Sequence, residues 1–104
     1  MARKLLPLHD RIHEAEGALR VVNMKDLVTL QVATKVMVKA RLLAAPLPAL
    51  ANLIERAARI LNGEGDAETI LSGRRLAEAK ALILMAHDEL HSTDPHPPAD
   101  HRLN

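Results

Sequence analysis

Aliphatic residues recur every three or four positions along most of the chain, the spacing of one face of an α-helix. Four such stretches follow one another. Their predicted buried positions are 5, 8, 12, 15, 19 and 22; 30, 33, 37, 40 and 44; 50, 53, 57 and 60, with Ile54 and Leu61 beside them; and 76, 79, 83, 86 and 90. Short connections between four amphipathic helices predict an all-α fold, an antiparallel bundle of about four helices.

Helix-boundary residues stand where these stretches begin and end. Pro7 suits a first helical turn, where its missing N–H costs nothing, and Pro48 can open the third helix in the same way. Asp26 or Asn23 can cap the second helix, predicted over about 24–45. The pair Asn62-Gly63 predicts the end of the third, because glycine accepts a left-handed conformation at low cost.

The second stretch also admits a β-strand interpretation. Residues 28–32 and 36–38 alternate and are rich in β-branched side chains, which is typical of strands. However, no turn residue separates the two segments, so a hairpin would lack its hinge. We therefore expect a helix here.

The fourth helical region is predicted over about 67–91, and Ser72-Gly73 can divide it. From Thr93 to Asn104 the chain is polar and rich in proline, which predicts a disordered tail. The sequence thus divides into a helical bundle domain, 1–92, and a disordered C-terminal tail, 93–104.

Composition removes several classes of function. The chain has no Phe, Tyr, Trp or Cys, so it has no aromatic platform for unpaired bases and no thiol for catalysis or zinc. The formal net charge is +1, which gives no global attraction to nucleic acid or to an anionic membrane. No apolar run is long enough for a membrane span, and no signal-peptide core forms at the start. We therefore expect a cytoplasmic protein.

The core is expected to be thin for a protein of this size. It depends on 18 leucines and 17 alanines, and alanine buries little area. The second and third helices also look apolar over more than one face. An exposed aliphatic patch usually marks an interface, so we expect a homo-oligomer with the second helix in the interface, together with a protein partner. The alternative is that these helices have no interface, and that their faces look hydrophobic only because they contain many alanines.

Two similar histidine motifs lie near the ends of the bundle domain. His9 and His13 are four residues apart, as are His87 and His91, so each pair lies on one helix face. In an even up-down bundle both pairs can meet at the same end, where four imidazoles would suit Zn²⁺, Ni²⁺ or Cu²⁺. Asp10, Asp88 or Glu89 would then support the ligands. The alternative is solvated histidine at the edge of the buried stripe, with no cofactor.

Enzymatic motifs are not found. The His-Asp doublets at 9–10 and 87–88 resemble those of the metal-dependent phosphohydrolases named for that doublet, a resemblance that implies a larger helical domain with a further separate His and Asp. The chain offers no such set. Ser72 and Ser92 are its only serines, and neither lies in a nucleophile elbow. We expect no enzyme.

Charge is unevenly distributed. Residues 24–45 carry four basic residues against one acidic, a net of +3, whereas residues 63–91 carry three against six, a net of −3. Seven basic side chains are candidates for phosphate contacts: Lys35, Lys39, Arg41, Arg56, Arg59, Arg74 and Arg75. A solvated basic face is the competing interpretation.

These observations favour a small non-enzymatic helical protein that self-associates and binds a macromolecular partner, in an adaptor or regulatory role. The alternatives are an oligomeric nucleic-acid-binding adaptor of the type found in phages and plasmids, acting in DNA packaging or regulation, and a histidine-based metal-binding bundle. No membrane partner is expected.

Overall fold

The computed structural model describes residues 5–64 and 74–93, which form four helices and no strand. The helices are α1 (Leu6–Arg20), α2 (Leu27–Leu43), α3 (Pro48–Leu61) and α4 (Arg75–Thr93). The all-α prediction is confirmed, and the hairpin interpretation of the second stretch is wrong.

Each helix packs against the next, and α1 closes the bundle against α4. The helices α2 and α4 therefore occupy opposite corners, each packed between α1 and α3.

Polar contacts fix the antiparallel register of α2 and α3. The Arg41 guanidinium lies 3.1 Å from a Glu55 carboxylate oxygen, and the Asn62 amide donates to the Thr34 hydroxyl at 3.0 Å.

The helix ends follow from local sequence. Pro7 lies in the first turn of α1 and Pro48 opens α3, as predicted. The Asp26 side chain caps α2 by accepting from the Val28 backbone N–H at 3.1 Å. At the end of α3, Gly63 has a φ of +90°, and the backbone N–H groups of Gly63 and Glu64 donate to carbonyls of the last turn. This is the Schellman arrangement that glycine favours.

The core is aliphatic and contains many alanines that have no exposed surface. The buried side chains are Leu8, Ile12, Ala15 and Leu19 of α1; Ala33, Val36, Met37 and Ala40 of α2, with Ala44 after it; Leu50, Ile54, Ala57 and Leu61 of α3; and Ala79, Leu82, Ile83, Ala86 and Leu90 of α4. In α1, α2 and α4, the central positions that were predicted to be buried are buried.

In α3 the predicted seam is corrected. Leu53 and Ile60 are only partly buried, whereas Ile54 and Leu61 are fully buried. Helix α3 is apolar over more than one face, so its sequence allows two buried faces. Both contain Leu50 and Ala57, and they differ in whether Leu53 and Ile60 or Ile54 and Leu61 complete the face. Because α3 must contact both α2 and α4, the helix is rotated to place Ile54 and Leu61 at the centre.

Parts of two predictions lie outside the described residues. These are the start of the fourth helical region at 67–73, with its division at Ser72-Gly73, and the tail from 94 onward. Helix α4 ends at Thr93, so the first residue assigned to the tail is helical.

Candidate functional sites

The two predicted histidine pairs lie on neighbouring antiparallel helices, and three of the four rings are in contact. The His87 and His91 ring centroids are 4.5 Å apart, and the His9 and His91 centroids are 5.7 Å apart, both in edge-to-face geometry. His9 is buried, with 9% of its surface exposed. The seam between α1 and α4 therefore brings His9, His87 and His91 together at one end of the bundle.

His13 is placed differently from the other three. Its side chain is 82% exposed, and its Nδ1 lies 3.8 Å from a Glu16 carboxylate oxygen. The structure thus separates the four predicted metal ligands into a cluster of three rings and one outward-facing ring.

Glu16 is a site residue that the sequence analysis missed. Its side chain is only 13% exposed, and it lies between His13 and His87. One carboxylate oxygen is 3.8 Å from His13 Nδ1 and the other is 3.9 Å from His87 Nδ1. Both distances exceed hydrogen-bond length. An attraction between Glu16 and either histidine therefore requires that the imidazole is protonated and the carboxylate is charged.

The geometry of this seam bears on the metal hypothesis. Two ligands held about 2.1 Å from a tetrahedral zinc ion lie roughly 3.4 Å apart. The Glu16 oxygens are farther than that from both imidazoles. Within residues 5–64 and 74–93, no group of three or more His, Asp or Glu side chains is arranged to hold a metal ion. Binding would require side chains of the seam to change rotamer, and the metal site stays a prediction.

The predicted supporting carboxylates are near the surface. The Asp88 carboxylate lies 3.9 Å from His87 Nδ1 and is 86% exposed. Asp10 and Glu89 are also exposed.

The seven basic candidates for phosphate contacts are not equivalent. Arg41 and Arg59 both approach the same carboxylate, that of Glu55, at 3.1 and 3.7 Å. Lys35 and Lys39 are exposed one turn apart on α2, and Arg56 is exposed on α3. Arg74 is exposed just before α4, whereas Arg75 is half-buried.

The largest described group of exposed aliphatic side chains lies on α2. Taking ~100° per residue around a helix, we define the α2 outer face as the side opposite the buried seam. It comprises Val28, Gln31, Val32, Lys35, Val38, Lys39 and Leu42. The four aliphatic members are 66%, 51%, 46% and 64% exposed in chain order. Leu27 and Leu43 lie at its margins and are also exposed.

A smaller exposed patch lies on α4. Leu84 and Met85 are 56% and 52% exposed, and Ala77 and Ala81 beside them are exposed as well. We call these four residues the α4 outer face.

Comparison with known proteins adds no further evidence for a function. Among the described helices, none is both long enough and apolar enough to cross a bilayer. No protein-family model matches the chain, and neither curated proteins nor solved structures show a significant similarity to it. The surfaces of this molecule alone therefore indicate its function.

Proposed function

We propose that the chain is a small non-enzymatic helical protein that associates with further copies of itself through the α2 outer face and, so assembled, serves as an adaptor for a macromolecular partner. The observation that carries the proposal is the row of exposed aliphatic side chains on a helix whose opposite side already fills the core. A helix that faces water on one side typically carries polar residues there. Aliphatic residues at these positions are accounted for if a second surface covers them.

The expected association is weak. Complete burial of Val or Leu contributes about 1.5–3 kcal/mol. Because the four aliphatic side chains of the α2 outer face are about half to two-thirds exposed, covering them contributes on the order of 3–8 kcal/mol. Association itself costs an estimated 4–15 kcal/mol. Since a dissociation constant of 1 µM corresponds to about −8.2 kcal/mol, this row alone does not give micromolar association, and assembly in the micromolar range and above requires a further contribution from the surface opposite.

Sedimentation velocity from micromolar to submillimolar concentration tests the proposal. Wild-type chain should show a mass that rises with concentration. Val32→Glu would place a charge in the contact, which is unfavourable unless it is paired, and should keep the chain monomeric. Asn52→Glu is the matched control, because it adds the same charge at an exposed position of α3, and it should associate as wild type does. A wild-type chain that stays monomeric throughout would refute the proposal.

The nucleic-acid adaptor is a second candidate because Lys35 and Lys39 are exposed on the same outer face. Two of the other predicted phosphate contacts, Arg41 and Arg59, are already paired with the Glu55 carboxylate. Adding duplex DNA to the sedimentation samples separates the two candidates. Salt-sensitive complexes that Lys35→Gln and Lys39→Gln weaken would favour the nucleic-acid role, and their absence at physiological salt would leave the protein-binding role.

A further inference from the structure

The α2 and α4 outer faces differ in the charges around their aliphatic residues. Lys35 and Lys39 lie within the α2 outer face, and no acidic residue lies between Leu27 and Leu43. The α4 outer face is bordered instead by Glu78, Asp88 and Glu89, of which the last two are exposed. One patch is therefore aliphatic and basic, and the other is aliphatic and acidic.

The cations near the α4 outer face lie toward α1 and at the start of α4, whereas Asp88 and Glu89 follow Met85 by three and four positions, so the acidic border lies beside Met85. Lys80 lies toward α1 and lines a groove with Glu16, Arg20 and Leu84, so the Leu84 edge of the α4 outer face is not acidic. Arg75 is half-buried in the first turn, where its guanidinium lies against Gly63. Arg74 is exposed and directly precedes α4, about one turn before Ala77, so it lies at the opposite end of the face from Asp88 and Glu89.

The positions of the two faces determine what kind of contact they can make. Because α2 and α4 lie at opposite corners of the bundle, one copy can use both faces at once, each toward a different neighbour. A two-fold contact of α2 with α2 would instead bring Lys35 and Lys39 toward the same lysines of the partner. Like charges in an interface are unfavourable, and opposite charges steer association.

We infer that the α2 outer face of one copy binds the α4 outer face of the next copy. The inference rests on the proposed self-association and adds the identity of the opposite surface. Such a contact is heterologous, so it does not stop at a dimer but continues into a chain of copies or closes into a larger ring. In this arrangement Lys35 and Lys39 face the acidic border of α4, and Leu84 and Met85 cover part of the α2 aliphatic row.

Two variants, each blocking one face, test the inference. Val32→Glu introduces an acidic residue on the α2 outer face, and Met85→Lys introduces a cation on the α4 outer face. The two positions are matched, at 51% and 52% exposure. Each variant alone should sediment as a single chain of 11.4 kDa. An equimolar mixture retains one intact face of each kind and should give a complex of at least two chains, 2 × 11.4 = 22.8 kDa, because the introduced carboxylate and ammonium can also pair across the two altered faces.

Other results overturn the inference and separate its failure from that of the proposed function. If Met85→Lys alone associates as wild type does, the α4 outer face is not in the contact; self-association stands and the inference is wrong. A mixture that forms no complex also refutes the inference. If Val32→Glu still associates fully, or wild type is monomeric, both proposals fail. Circular dichroism confirms that each variant is folded, and a second pair, Leu42→Glu and Leu84→Lys, repeats the test at other exposed positions.

Discussion

The same substitution, glycine to alanine, should have opposite effects at two positions of this bundle. Gly17 lies inside α1, and a Cβ placed on it would meet no atom within 4 Å beyond its chain neighbours and the nearby backbone of its own helix. Gly63 follows α3 with a φ of +90°, where a Cβ would lie 2.8 Å from Arg75 Nη1. The two sites thus separate helix propensity from backbone conformation.

The magnitudes follow from these two environments. Alanine is more favourable than glycine in a helix interior by about 0.8–1.0 kcal/mol, so Gly17→Ala should stabilise by nearly that amount. At Gly63 an L-residue must adopt a left-handed conformation at a cost of roughly 1–2 kcal/mol. The Arg75 guanidinium must also move. A change of 1 kcal/mol shifts the melting temperature of a domain of this size by about 4–8 °C, so the two variants should melt on opposite sides of wild type.

Thermal and urea unfolding followed by circular dichroism measure both effects. The protein concentration must be the same in every sample, because self-association raises the apparent stability. The double variant should lie near the sum of the single effects, because sites without shared partners usually add. A Gly63→Ala chain as stable as wild type would refute the assignment of a left-handed cap, and a destabilised Gly17→Ala chain would show that α1 is packed against something at that position.

Three further predictions concern the core, a cap and the histidines. Ala40→Leu, at a core position with no exposed surface, should destabilise by about 1–3 kcal/mol through overpacking, while exposed Ala49→Leu should change little; a more stable Ala40→Leu chain in urea would contradict this. Asp26→Ala should cost about 0.5–2 kcal/mol by removing the α2 cap, and unchanged urea unfolding would show that the cap contributes nothing. If the cluster of His9, His87 and His91 binds Zn²⁺ or Ni²⁺, a metal concentration of ~100 dissociation constants should raise the free energy of unfolding by about 2.7 kcal/mol. His91→Ala should then remove the gain and outward-facing His13→Ala should remove less of it, whereas an unaltered wild-type melting temperature would reject the metal hypothesis.

Local patterns in the sequence were enough to predict most of the helical structure. The three-and-four spacing of aliphatic residues predicts helices and their buried seams, because a helix repeats every 3.6 residues. Boundary residues such as Pro7, Asp26 and Gly63 act through contacts with their own neighbours in the chain, so their roles were also predictable. Lack of aromatic residues and cysteine narrowed the function from composition alone.

Contacts between helices decided the rest. In α3, two spacings share Leu50 and Ala57, and only packing against both α2 and α4 selects Ile54 and Leu61 over Leu53 and Ile60. A single helix pattern holds no information on that rotation, because each spacing alone makes an acceptable seam.

The candidate sites show the same division. Spacing placed His87 and His91 on one helix face, but their contact with His9 depends on the antiparallel register of α1 and α4. Glu16 had no signal of its own, since its position between two imidazoles arises only when those helices pack. Likewise, the apolar residues of α2 predicted more hydrophobic surface than one buried face needs. The packing of α2 between α1 and α3 determined which of its aliphatic side chains remain exposed.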